Sequence, residues 1–100
     1  MLDSNNQNEI QTITEFLKIL AEENRLKIIQ YLSSCEWCVS DIWQALDLPQ
    51  NLISHHLKVL KEMGLVNIRK EGLRVYYCLN YEQFKKYKNL LINFIPDGHR

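Results

Sequence analysis

The segment from residue 40 to residue 79 constrains the fold most tightly. Residues 49–64 place Leu52, Ile53, Leu57 and Leu60 on one side of a helical wheel. Asn51, Ser54, His55, Lys58, Lys61 and Glu62 fall on the other. That spacing predicts an amphipathic helix from about Pro49 to Met63, stopped by Gly64. Just before it, Ser40-Asp41 opens a shorter helix to about Leu46, with Ile42, Ala45 and Leu46 expected inward. The link between the two is Asp47-Leu48-Pro49-Gln50, a tight turn in which proline suits the start of the next helix. Two short helices joined this way form a helix-turn-helix. Directly after Gly64 come two β-rich runs, Leu65–Lys70 and Arg74–Leu79, around Glu71-Gly72-Leu73. They read as a hairpin, and a hairpin in that position is a wing.

The flanks are helical. Ile10, Ile13, Leu17 and Leu20 recur at steps of three and four, as do Phe84, Tyr87, Leu91 and Phe94 near the other end. Between them, Leu26, Ile29 and Leu32 mark a second helix, with Glu22 and Glu23 at its positive end. Cys35–Val39 leaves room for only a brief extended piece. The expected fold is therefore mainly α, a winged helix-turn-helix of order α-α-α-α-β-β-α. Residues 1–9 form a flexible arm, 10–95 the domain and 96–100 a tail. Dimerisation helices are expected at about 10–20 and 81–95.

One hundred residues, 46% of them apolar, make one domain with one small core. A partner chain would help cover it, and a deep enzyme cleft is excluded. Cys38 with a histidine is imaginable as a nucleophile pair, but no third residue orients it, so no enzyme is expected. Overall the charge is balanced, yet residues 1–49 carry 3 basic and 8 acidic side chains, whereas residues 50–79 carry 5 basic and 2 acidic. A split of this kind can offer a local basic surface to a polyanion.

That surface has specific chemistry. Asn51, Ser54, His55 and Lys58 recur at i, i+3, i+4 and i+7 near the start of their helix, where a recognition helix meets base edges in the major groove. Gln50 and Asn51 suit adenine, Ser54 a base or phosphate, and Lys58 a phosphate. Arg69, Lys70 and Arg74 bracket Gly72 and suit a DNA backbone or minor groove. Any surface helix has a polar outer face, and charge alone protects a hairpin edge. It is the two features in succession that favour double-stranded DNA. His56 lies between Leu52 and Leu60 and is expected inside, with His55 outside.

Leu20–Ile29, Glu36–Ile42, Leu52–Leu60 with Gly64-Leu65-Val66, and Arg74-Val75-Tyr76-Tyr77 together resemble the ArsR/SmtB family of winged-helix repressors, over roughly residues 15–80. The resemblance implies a homodimer that binds operator DNA and is released by a signal, often a metal or metalloid. It also implies ligand patterns that are broken here. An arsenic-type C-x-C-x-x-C in the third helix is reduced to Cys38, Ser40 and Trp43. In the last helix, residues 81–95 contain no His or Asp and only Glu82 as an acid. Residues 1–34 contain no cysteine.

What remains is Cys35-x-x-Cys38, with Cys78 distant in sequence. A lone pair is half of a zinc site. The readings left open are two inert small residues, a reactive or reversibly oxidised pair, and a site for a thiophilic metalloid. No metal or other cofactor is otherwise expected.

We expect Ile10, Ile13, Leu17, Phe84, Tyr87, Leu91 and Phe94 to make the dimer. Its two recognition helices would enter major grooves roughly 34 Å apart on an inverted repeat. The beginning of the chain has no basic-then-apolar leader, and no apolar run approaches a membrane span. A cytoplasmic location with reduced cysteines is the expectation. Alternative functions are a winged helix used for protein contact and a regulator without a sensor of its own.

Overall fold

The computed structural model describes residues 4–33 and 36–98. Five helices, α1 (Ser4–Leu20), α2 (Glu23–Leu32), α3 (Val39–Leu46), α4 (Gln50–Glu62) and α5 (Tyr81–Phe94), accompany a small antiparallel sheet. The sheet has three strands, β1 (Trp37–Cys38), β2 (Val66–Glu71) and β3 (Arg74–Leu79), in the order β1-β3-β2. The mainly helical winged fold is thus as expected, with one addition. The brief extended piece pairs with the far wing strand, Trp37 opposite Tyr77 and Cys38 opposite Tyr76. Only two residues pair, which is why no alternation marked them.

The core gathers side chains from almost every element: Phe16 and Ile19 of α1, Ile28 and Leu32 of α2, Ile42 of α3, Ile53, Leu57 and Leu60 of α4, with Leu65, Val66 and Leu79. Several helices are rotated from their expected stripes. In α1 the buried positions are Ile13, Phe16 and Ile19, while Leu17 is 43% exposed. In α2 Ile28 and Leu32 are buried and Ile29 packs against the core, so of the expected Leu26-Ile29-Leu32 stripe only Leu26 lies outside, 48% exposed. Ala45 of α3 is exposed. These helices have more apolar residues than one face can hold, and packing against several neighbours decides which go in. The helix α1 already runs from Ser4, so residues 4–9, assigned to an arm by their polarity, are helical.

Joints between elements are locally specified. Glu22 caps α2 by accepting the Asn24 and Arg25 N–H groups at 3.3 and 3.1 Å. Arg25 in turn donates Nε–H to the Ile19 carbonyl at 2.9 Å, satisfying an end of α1 that would otherwise lack a partner. After α4, Gly64 adopts φ +71°, and the Leu65 N–H reaches the Leu60 carbonyl at 3.0 Å while Gly64 N–H reaches Lys61. That is a Schellman closure, and it needs a residue comfortable at positive φ. It turns the chain from α4 straight into β2.

Candidate nucleic-acid interface

The helix α4 follows a compact turn. Asp47 ends α3 in the left-handed region at φ 53° and ψ 46°, and the Leu48 N–H returns to the Trp43 carbonyl. Pro49 is the N-cap rather than the first helical residue; its carbonyl accepts the N–H groups of Leu52 and Ile53 at 3.1 Å each. No side chain caps α4, so its positive end remains open to an anion.

The inner face of α4 is Ile53, His56, Leu57 and Leu60, all buried. With that face fixed, Gln50, Asn51, Ser54, His55 and Lys58 all stand exposed. From Gln50 to Lys58 they run along about 12 Å of helix axis. Among the described residues none of Gln50, Asn51, Ser54 or Lys58 has a side-chain partner, while the His55 ring lies 5.7 Å from that of His56. The row combines amide, hydroxyl, imidazole and ammonium groups, which between them can bind base edges and phosphates.

His56 holds this helix from behind. It is only 4% exposed. Arg25 Nη1 lies 3.4 Å from its Nδ1, so that nitrogen acts as acceptor and Nε2 carries the proton. Nε2 lies 3.4 Å from Glu22 Oε2 but off the hydrogen-bond direction, and it counts as a buried nitrogen without a hydrogen bond. Burial pushes the imidazole's pKa below its ordinary value; Glu22 opposes this, and Arg25 and His55 reinforce it. Burial works against ionisation of Glu22 as well. The Asn24 and Arg25 backbone N–H groups, with His56 and Arg25, nevertheless hold its carboxyl below the usual range. The corner between α1 and α2 is thereby tied to the rear of α4, as expected for an inward His56.

The wing cations differ in their surroundings. Lys70 and Arg74 flank the turn and are exposed. The Arg74 pKa is raised, chiefly by the nearby Tyr76 phenol, with smaller contributions from Cys38 and Asp41. Arg69 is engaged within the chain. Its Nη2 donates to Glu36 Oε1 at 2.6 Å and its Nε at 3.1 Å; Nη1 donates to Glu71; and the guanidinium lies 4.7 Å from the centre of the Tyr76 ring. Hydrogen bonding by Arg69 lowers the pKa of Glu36. Sequence reasoning grouped Arg69 with the other two cations. The signal it missed is strand alternation, which puts Arg69, Glu71 and, through β3, Glu36 on one face.

The apolar residues expected at a dimer interface also divide. Phe84 and Tyr87 pack on Phe16 of the same chain, with ring centres at 6.2 and 5.1 Å. The Tyr87 hydroxyl donates to the Met63 carbonyl, and Ile13 is buried. Ile10 and Leu91 are half-buried, while Leu17 and Phe94 are 43% exposed, with Ile92 and Ile95 more so at 66% and 55%.

Of the two candidate sensor cysteines, Cys35 lies outside the described residues. Cys38 is the half-buried N-cap of α3. Its S–H donates to Asp41 Oδ2 at 2.9 Å, the same oxygen takes its N–H at 3.4 Å, and Ser40 Oγ lies 3.2 Å from the sulfur. The register adds what sequence could not supply. Cys38 faces Tyr76, and Cys78 is two residues along β3, on the same side of the sheet. Among the described residues no group of three or more His, Cys, Asp or Glu could hold a metal ion. No helix among them is long and apolar enough to cross a membrane.

Known proteins share this arrangement. A family model described as bacterial regulatory protein, arsR family, matches residues 22–67. The chain is 39% identical over 84 residues to the cadmium resistance transcriptional regulatory protein CadC of Listeria innocua, covering 83% of this chain and 71% of that one. It is 48% identical over 67 residues to the arsenical resistance operon repressor of Escherichia coli, covering 66% and 57%. Among solved structures, reduced HlyU from Vibrio cholerae superposes with a TM-score of 0.73 at 30% identity, covering 94% of this chain and all of that one.

Proposed function

The chain belongs to the ArsR family of bacterial regulatory proteins, a family of DNA-binding transcriptional regulators and not of enzymes, and on that premise we propose that it is a homodimeric repressor of an operator with two half-sites. The carrying observation is the division of α4. Its inner face is locked by Ile53, His56, Leu57 and Leu60, and its outer row of Gln50, Asn51, Ser54, His55 and Lys58 is exposed. In this reading Gln50, Asn51, Ser54 and His55 meet base edges, Lys58 meets phosphate, and Lys70 and Arg74 follow the backbone from the wing. Arg69 keeps its carboxylates. The test is selection of bound duplexes from a random pool by the purified protein. An enriched inverted repeat is expected; no enrichment contradicts the reading.

Dimerisation is supported by shape and by exposed apolar area. The radius of gyration is 15.8 Å, against about 13 Å for a compact chain of this length, and the molecule is 52 Å long by 24 by 22 Å. Its exposed apolar residues on α1 and α5 and just beyond, Leu17, Ile92, Phe94 and Ile95, need cover. Ile10 and Leu91 would join them, while Ile13, Phe84 and Tyr87 support the interface from within.

For the release signal, thiol chemistry at Cys38, with Cys35 as its sequence neighbour, fits the capping geometry. Loss of the Cys38 S–H, to an oxidant or to a thiophilic metalloid, removes a hydrogen bond at the start of α3, the helix on which α4 rests. A Cys35→Ser, Cys38→Ser variant that releases DNA like the wild type under oxidant and arsenite would leave a regulator without its own sensor.

A further inference from the structure

The tip of the wing does not fit its own turn chemistry. Glu71 pairs with Arg74, so the hairpin loop is Gly72-Leu73 alone. Gly72 has φ +61°, and Leu73 is not among the positive-φ residues, which is the type II′ combination. Its second central position favours small polar residues such as Asn, Asp and Ser. Leucine stands there instead and is 103% exposed, more than any other large apolar side chain described. Among the described residues it has no place in the core and no buried apolar surface to cover. A residue that breaks a local rule with no structural return is a candidate for function.

Its setting indicates the function. Leu73 is flanked by the exposed cations Lys70 and Arg74. Behind it, Arg69 braces β2 against Glu36 of the segment leading into β1 and lies over Tyr76 of β3. The tip is therefore an apolar point carried on a braced ribbon, with cations beside it to meet phosphates on either side of a groove.

We propose that Leu73 is a specificity-determining contact that enters the DNA minor groove and reads the shape of its floor. The inference rests on the DNA-binding reading above. A branched alkyl group can neither donate nor accept a hydrogen bond, so it discriminates by fit. In the minor groove the feature it meets is the 2-amino group of guanine, which rises from the floor of G·C pairs and is absent from A·T pairs. Leu73 therefore favours A·T pairs under the wing, at positions that α4 does not touch.

The experiment uses the full chain and the duplex it selects from a random pool. Base pairs under the wing are first located by footprinting. They are then set to A·T, to G·C, and to inosine·C, which keeps the major-groove face of G·C but lacks the 2-amino group. Wild type is expected to bind the A·T and inosine duplexes alike, and the G·C duplex about tenfold more weakly, the scale of one altered base pair. Leu73→Asn, which suits the turn, should bind all three within about twofold of one another while keeping its preference for the α4 half-site sequence. Leu73→Ser serves as the second variant, and circular dichroism checks that both fold.

If Leu73→Asn and Leu73→Ser discriminate G·C from inosine·C as wild type does, Leu73 is not the reader and the proposal fails. It fails equally if wild type does not distinguish the three duplexes. If wild type enriches no sequence at all, the DNA-binding reading itself fails, and this inference goes with it.

Discussion

The outer face of α4 and the wing both present polar side chains to solvent but hold them in different ways. On α4, Gln50, Asn51, Ser54 and Lys58 stand exposed on a helix whose inner face is fully packed. In the wing, Arg69 is bound to two carboxylates and an aromatic ring. The helix gains its rigidity from the core, so its outer side chains are left over for a partner. The hairpin has almost no core of its own and holds its shape through polar contacts along its outer face. A cation in the wing is therefore as well placed to brace as to bind.

The largest expected effect comes from breaking the helix side of that comparison. Replacing Asn51 or His55 by Ala should remove about 1–3 kcal/mol of discrimination between the selected duplex and a half-site mutant. Competition binding with the two duplexes measures it. Lys58→Ala should weaken selected and scrambled duplexes alike and reduce the salt slope by about one unit, as read from affinities across a salt series.

A smaller effect sharpens the wing side. Arg69→Glu should weaken binding by separating β2 from the β1 segment, and Arg69→Glu with Glu36→Arg should restore it. If Arg69 instead met phosphate, the double exchange would bind no better than the single one. Affinity on one selected duplex for the three proteins decides between them.

The smallest effect concerns the support behind α4. The folded state keeps His56 neutral below its ordinary pKa of 6.5. Below that pH the unfolded chain takes up a proton that the folded chain refuses, so stability is complete above about pH 6.5 and declines as the pH falls through it. Denaturant titrations between pH 8 and pH 5 should show this decline, and His56→Gln should flatten it.

The helix-turn-helix and wing were legible because their signals are local. The α4 stripe, the Asp47–Gln50 turn, Gly64 and the two β-rich runs each follow from nearby residues, as did the division between inward His56 and outward His55. What was not legible depends on partners distant in the chain. Leu17 continues the Ile10-Ile13 stripe on a helical wheel, yet it is Phe16 that turns inward, where Tyr87 stacks on it and Phe84 meets it edge-on. Arg69 looks like a free cation until β1 brings Glu36 beside it, 33 residues away. The pairing of β1 with β3 rests on two residues, too few for a pattern, yet it places Cys38 and Cys78 on one face.

The central claim is that α4 reads sequence while the charged contacts supply general affinity. The most direct test measures wild-type affinity for its selected duplex and for a scrambled one of equal length across a salt series. Both lines should fall with rising salt, at about 0.9 log units per decade for each phosphate contacted, with the selected duplex bound at least about a thousandfold more tightly. Equal affinity for the two duplexes, or binding indifferent to salt, would contradict the account.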